Sequence, residues 1–255
     1  MIHPSAIIHP KAKLSPDCHV GPYCVIGEHV EIGDGCKLHS HVIVGGHTKL
    51  GINNEVFPFA SIGLKTQDLK WKGGTTRTEI GDGNTFREYV TVHSATSDGD
   101  STRIGSHNNL LAYSHVAHDC QIGSNVVMSN GSTLAGHVIV HDHAILGGLT
   151  GVHQFCRIGR MAMLGGYSKV VQDIPPFMIA DGNPAATRTV NKVGLTRNGV
   201  SEETQGALRQ AYKNIIREGL TVAKAIETME NDLQQVLELK ELIEFMRTSE
   251  RGLAR

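Results

Sequence analysis

The chain has 255 residues, 24 Lys and Arg against 25 Asp and Glu, and 40% hydrophobic content. That allows one large domain, or a domain with an appendage, and excludes both a globally basic surface for nucleic acid and a disordered acidic chain. Aromatic residues make up only 5% while glycine reaches 29 and histidine 15, a balance that argues against a sandwich or doubly wound sheet and for a narrow, repetitive architecture.

The first residues, MIHPSAIIHPKAKL, lack the basic start and apolar run of a signal peptide, and no apolar stretch approaches the roughly 18 residues of a membrane span. The chain therefore reads as soluble and cytosolic. The same residues open a repeat. An aliphatic residue recurs every six positions from Ile2 through Ile8, Leu14, Val20, Ile26, Ile32, Leu38, Val44, Leu50 and Val56 to Ile62, resumes at Ile80, Phe86 and Val92, and continues from Ile104 to Val170. Only Asp68, Gly74 and Asp98 break the phase. Four residues after each aliphatic comes a small or β-branched residue, and all five cysteines (Cys18, Cys24, Cys36, Cys120, Cys156) occupy that slot, as small core hydrophobes would. Glycine often follows the aliphatic, as at Gly33, Gly105 and Gly159, where a tight corner tolerates no clash. A period of six is too long for a helical turn and suits a β-solenoid in which each hexad forms one flat side and three sides make a coil. The pattern resembles the left-handed parallel β-helix of the hexapeptide-repeat acyltransferases. It predicts an all-β domain over residues 1–185 with roughly nine or ten coils.

Residues 63–79 (GLKTQDLKWKGGTTRTE) and 95–103 (ATSDGDSTR) keep the phase but lose the aliphatic beat, and are predicted as loops thrown out from the prism. After Pro175-Pro176 the hexads stop. From a Ser201 cap onward, Leu208, Ala211, Tyr212, Ile215 and Ile216, then Leu233, Val236, Leu237, Leu242, Phe245 and Met246, carry helical spacing. A C-terminal α-helical subdomain over residues 186–255 is predicted, covering the end of the solenoid.

Most histidines (His3, His9, His19, His29, His39, His107) read as polar residues on outward strand positions. Another group stands out. The hexads starting at Val116, Leu134 and Val152 lie above one another at eighteen-residue spacing and carry His118, His137 and His153. With strands about 4.8 Å apart these rings are predicted to form a column on one edge, with His115 at the neighbouring corner. A metal reading exists, because gamma-type carbonic anhydrases use the same fold with histidines on zinc. His115 and His118 are spaced H-x2-H, however, whereas those enzymes carry H-x4-H. General base chemistry suits a neutral imidazole with a carboxylate beside it, as at His118-Asp119. There is no G-x-S-x-G elbow, no cysteine outside the core slot and no Walker-type glycine loop, which disfavours an acyl-enzyme and phosphoryl transfer. A non-catalytic β-solenoid scaffold would be expected to lack such a polar cluster.

The stretches TQDLKW (Thr66 to Trp71), SHVAHDC, Ala135-Gly136-His137, VHQFCRIG (Val152 to Gly159) and the closing RGLAR together resemble the UDP-N-acetylglucosamine O-acyltransferases that open lipid A biosynthesis. The resemblance implies transfer of a 3-hydroxyacyl chain from acyl carrier protein to UDP-GlcNAc, with no cofactor and no metal, by a homotrimer. It also implies that His118 is the general base, Asp119 its orienting partner and the Gly136 N–H the oxyanion donor. Gln67, Asp68 and Lys70 would bind the sugar nucleotide, His115 and His137 would line the cleft, and His153 and Gln154 would touch substrate. Asn191 and Arg197 would hold the uridine diphosphate, and Met163 and Gly166 would limit the acyl chain. The family commonly reads V-N-x-E-G-L-x-R-R near the nucleotide. Here Val193 replaces the acid and Asn198 the second arginine. Arg188, Lys192, Arg197, Arg209, Lys213 and Arg217 face only Glu202 and Glu203 in their segment, a basic surface expected to dock the acidic carrier.

Overall fold

The structure, a computed structural model, describes residues 1–217, 220–232 and 236–255. Each hexad forms a short strand and a turn, so that consecutive strands such as His115–Val116, Gln121–Ile122 and Val127–Met128 fall in three different sheets. Among the described residues the sheets hold nine, eight and ten strands, and the hexad strands stack coil on coil in parallel, with Val116 on Leu134 on Val152. This is the left-handed parallel β-helix expected from the repeat. Its core is the phase residues themselves: Val116, Leu134, Leu146 and Leu164 are completely buried.

All five cysteines are buried in that core, and burial pushes the Cys120 thiol up to about 12 and that of Cys156 to about 11. Neither is poised for thiolate chemistry. The slot they share also takes asparagine. Buried Asn54, Asn84 and Asn108 form a ladder in which each Oδ1 accepts a backbone N–H from the next coil, at 2.7–3.0 Å. The glycines after the aliphatics are explained by coil-on-coil contact. A Cβ on Gly33 would stand 2.6 Å from the carbonyl oxygen of Gly51 in the next coil.

Both loops are shorter than expected. The four-residue strands Ser61–Leu64, Arg77–Ile80 and Ser101–Ile104 take residues from both ends of the first loop and from the end of the second. The reason is a set of inward threonines, Thr48, Thr78 and Thr102, that pair in register two residues before the aliphatic and are buried despite their polarity. Ile80 pairs with Leu50 and Val92 with Val116, so the loops lengthen their coils by multiples of six and leave the phase intact.

The expected boundary at residue 185 falls inside a hairpin. Met178–Gly182 continues the third sheet and Ala185–Val190 returns antiparallel to it, because Met178, Ala180, Ala185, Thr187 and Val190 still point inward. Helices follow: α1 (Lys192–Arg197), α2 (Glu202–Tyr212) with a π-helical turn Lys213–Arg217, α3 (Val222–Asp232) and α4 (Leu237–Arg247). Ser201 caps α2 by accepting from the Thr204 N–H at 3.1 Å. Leu208, Ala211, Ile215, Leu242, Phe245 and Met246 bury the expected apolar faces against Phe177, Met178 and Val190 of the prism's last turns. Leu237 instead is 75% exposed, on the outer side of α4 between Val236 and Leu239, which pack into the helical core, and Leu233 lies outside the described residues. The RGLAR tail runs back along the last coil, where Asp173 bridges to Leu253.

Candidate active site

The site lies at the corner between the first and second sheets. To turn there, the chain passes through one residue of left-handed backbone per coil: Asp119 (φ 61°), His137 (φ 60°) and Phe155 (φ 65°). That turn keeps neighbouring side chains from pointing to opposite faces as they would along a strand. His118 Nδ1 and Asp119 Oδ2 are 2.7 Å apart, with both side chains largely buried. Asp119 is further held by the Thr96 backbone N–H, which donates to both carboxylate oxygens at 3.2 Å. The Asp119 N–H in turn donates to Thr102 Oγ1 at 2.8 Å.

One coil on, buried Gly136 sits over the His118 ring, and a Cβ there would press on that ring closer than van der Waals contact allows. Among the described residues the Gly136 N–H has no acceptor. His137 stands edge-on to His118 with centroids 5.2 Å apart, and its Nε2 is 3.6 Å from Asp119 Oδ2. The expected column is therefore not three histidines. His118, His137 and His153 occupy different offsets in their hexads, and the ring stacked on His137, at 4.7 Å, is Phe155. His153 is exposed, with its Nδ1 3.1 Å from the Gln154 carbonyl and 3.3 Å from Arg251.

The first loop folds back over this corner within the same chain. Gln67, Asp68, Leu69 and Lys70 face His115, His118 and Gln154 across an open cleft of about 730 Å³. Asp68 Oδ2 is 3.9 Å from His118 Nε2. His115 is held by Thr91 Oγ1 at 2.7 Å from its Nδ1, and its pKa is lowered to about 4 by burial first, then by His93 and His118. His93, buried and edge-on to His115 at 5.2 Å, is itself lowered by burial and by His118. Sequence reasoning missed His93 and Thr91. Their signal is the pairing of Val92 under Val116, hidden because the second loop makes that spacing longer than eighteen residues. Thr66 and Thr96 sit in the slot four residues after Ile62 and Val92, where the repeat marks them as small core residues and nothing marks them as neighbours of His118.

The remaining expected site residues lie elsewhere. The Asn191 side chain is spent on structure: Oδ1 caps α1 at the Gly194 N–H (3.0 Å) and Nδ2 donates to the Met161 carbonyl (2.8 Å). Asn198 closes the other end of α1, donating to the Gly194 carbonyl at 2.8 Å, while Val193 is 60% exposed and Arg197 is exposed in the last turn. Met163 is in the third sheet and Gly166 at the corner between the third and first sheets, a different edge of the prism from His118. Within one chain the structure does not bring them to the cleft. Of the basic set, Arg188 pairs with Asp181, Lys192, Arg209 and Lys213 are exposed, and the Arg217 side chain is outside those described.

For metal binding, His118, Asp119 and His137 are the one group of three donors within 4.8 Å among the described residues. His115 is not in it, so the H-x2-H pair does not converge on one point. Asp119 Oδ2 accepts from His118 Nδ1 and lies 3.6 Å from His137 Nε2, so the one hydrogen bond within the trio is the His118–Asp119 pair.

A β-helix prism with a carboxylate-held histidine under an unsatisfied backbone N–H defines a hexapeptide-repeat transferase. The bacterial transferase hexapeptide model matches residues 1–33, 11–46 and 101–136, and the model for domain 2 of UDP-N-acetylglucosamine O-acyltransferase matches residues 173–254. The structure of LpxA from Acinetobacter baumannii is 46% identical, with a TM-score of 0.97 over 100% of this chain and 99% of that one. UDP-N-acetylglucosamine O-acyltransferase from Moraxella catarrhalis is 42% identical, with a TM-score of 0.96 over 100% and 99%. The Arabidopsis UDP-N-acetylglucosamine acyltransferase is 35% identical, with a TM-score of 0.89 over 100% of both chains. The chain belongs to the UDP-N-acetylglucosamine O-acyltransferase family and is an acyltransferase.

Proposed function

We propose that the protein transfers an (R)-3-hydroxyacyl chain from acyl carrier protein to the 3-hydroxyl of UDP-GlcNAc, the first step of lipid A biosynthesis, acting as a cytoplasmic homotrimer. The observation that carries the mechanism is the 2.7 Å contact between His118 Nδ1 and Asp119. With Asp119 accepting the Nδ1 proton, the Nε2 lone pair is left for the cleft. His118 Nε2 takes the proton of the sugar hydroxyl as its oxygen attacks the thioester carbonyl. Negative charge gathers on the former carbonyl oxygen, to which the N–H of Gly136 donates a hydrogen bond. Collapse breaks the C–S bond, and the departing thiolate takes the proton back from the His118 imidazolium. No acyl-enzyme forms and no metal takes part.

Gln67, Asp68 and Lys70 hold the sugar nucleotide against His118, with His115, His137 and Gln154 lining the cleft. His115 is neutral throughout, so it offers hydrogen bonds without adding charge beside the base. His153, at the rim with Arg251, and Arg197 contact the outer parts of the substrates. Asn191 supports the nucleotide site by fixing α1 to the Met161 carbonyl. Met163 and Gly166 belong to the acyl-chain floor, reached across the boundary between neighbouring prisms. The exposed cations Lys192, Arg197, Arg209 and Lys213 attract the acidic carrier. The test is the purified protein with UDP-GlcNAc and a panel of hydroxyacyl carrier proteins, read by product mass. Addition of one hydroxyacyl group to the sugar nucleotide is expected, and its absence with every donor would refute the assignment.

A further inference from the structure

Two buried threonines link the carboxylates on either side of His118 through hydrogen bonds. Thr96 gives its backbone N–H to both oxygens of Asp119, and its hydroxyl meets that of Thr66 at 3.0 Å. Thr66 Oγ1 also accepts the Asp68 backbone N–H at 3.0 Å, and the Asp68 carboxylate returns to His118 Nε2 at 3.9 Å. His118 Nδ1 is hydrogen-bonded to Asp119 and Asp68 stands near Nε2 without a hydrogen bond to it, so the Thr66–Thr96 bond ties together the two segments that flank the imidazole. Thr66 is 5% and Thr96 8% exposed, so substrate has no access to either hydroxyl, and a bond of this kind in a low-dielectric interior is expensive to leave unmade.

We propose that Thr66 and Thr96 are positioning residues for the acyl transfer described above, on which this inference rests: their hydroxyl pair sets the acceptor-binding loop against the His118–Asp119 dyad. The far end of the first loop is tied independently to residues on both sides of Thr96. The Thr75 N–H donates to Asp98 Oδ1 at 2.7 Å, the Gly99 N–H to the Thr75 carbonyl at 2.9 Å, and the Thr76 hydroxyl to Ser94 at 3.1 Å. Losing the Thr66–Thr96 bond therefore frees only the end that carries Gln67 and Asp68.

The experiment measures steady-state kinetics of Thr66→Val, Thr96→Val and the double variant, with Thr96→Ser as the conservative control. Valine keeps the shape and branching and removes the hydroxyl. Each single variant is expected to raise the KM for UDP-GlcNAc about tenfold, or about 1.4 kcal/mol, with kcat changed less than about threefold and the KM for the acyl carrier unchanged. Thr96→Val loses the hydroxyl pair and Thr66→Val loses that pair together with the acceptor of the Asp68 N–H, so the double variant is expected to be no worse than Thr66→Val alone. Thr96→Ser is expected to restore the wild-type value. Asp98→Ala, which cuts the distal tie, is expected to lower the melting temperature while leaving that KM alone. A merely structural role would lower stability and the active fraction, and hence kcat, without moving KM. An unchanged KM in both valine variants, strictly multiplicative effects in the double variant, or an equal KM rise in Asp98→Ala would each overturn the proposal. Wild-type protein is run alongside: if it makes no product, the reaction assignment fails, and if it is active while the valine variants match it, only the positioning role fails.

Discussion

Gly136 is the position where a single methyl group reports most on the site. A Cβ there collides with the His118 ring, and the backbone is not left-handed, so Gly136→Ala is expected to fold and to lose about 10²-fold in kcat by displacing the base. A variant with normal kcat would remove Gly136 from the site. His115 gives a second test, with its sign set by burial. Its folded pKa of about 4 lies below the ordinary 6.5, so between those values the unfolded chain binds a proton that the folded chain refuses. Stability therefore falls as pH drops from about 6.5 to about 4 and levels off below. His93 and His141 are shifted the same way by burial. His115→Gln is expected to flatten the slope of melting temperature against pH across that window, and an unchanged slope would contradict the neutral-histidine reading. At this scale His118 with Asp119 was legible because adjacent acid and imidazole are a chemical pattern. The correct stacking was not, because it depends on which hexad offset each ring occupies: His137 and Phe155 share one, while His153 does not.

Among the elements, the hexad was readable because each one past the first coil buries the same two positions, the aliphatic and the residue four later, so the repeat and the fold are nearly the same statement. The hairpin of Met178–Gly182 and Ala185–Val190 was hidden because its inward residues include Ala180, Ala185 and Thr187, too small or polar to register as an apolar strand. The Thr48, Thr78 and Thr102 stack shortened the loops for a similar reason. The junction of prism and helices rests on Asp173, which is 1% exposed and accepts from the Arg157 backbone (2.8 Å), Arg157 Nε (3.0 Å) and the Ser249 hydroxyl (2.8 Å). Asp173→Ala removes a buried carboxylate from part-buried Arg157, which keeps its bonds to Thr248 and the Phe245 carbonyl, and is expected to cost about 2–3 kcal/mol, measured by denaturant unfolding. A loss below about 1 kcal/mol would show that the tail and α4 hold without it.

For the whole molecule, Met163 and Gly166 lie on a different edge of the prism from the histidine corner, so the proposed acyl-chain floor calls for a neighbouring prism in the proposed trimer. Gly166 is exposed, and an added Cβ would meet only the Gly148 carbonyl, at 3.3 Å, so a longer side chain can stand outward there. Met161, by contrast, is buried with the helices and cannot narrow such a channel. The wild type is expected to prefer a donor of about fourteen carbons and Gly166→Met one of about ten, since each buried methylene is worth about 0.8 kcal/mol. An unchanged donor profile in the folded variant would remove the limit from this position. The central claim, that one carboxylate-held imidazole drives transfer without an acyl-enzyme, is tested most directly at His118 itself. His118→Ala, checked as folded by circular dichroism and size, is expected to lose about 10²–10⁴-fold in kcat for UDP-GlcNAc acylation, while near-normal turnover in that variant would contradict the account.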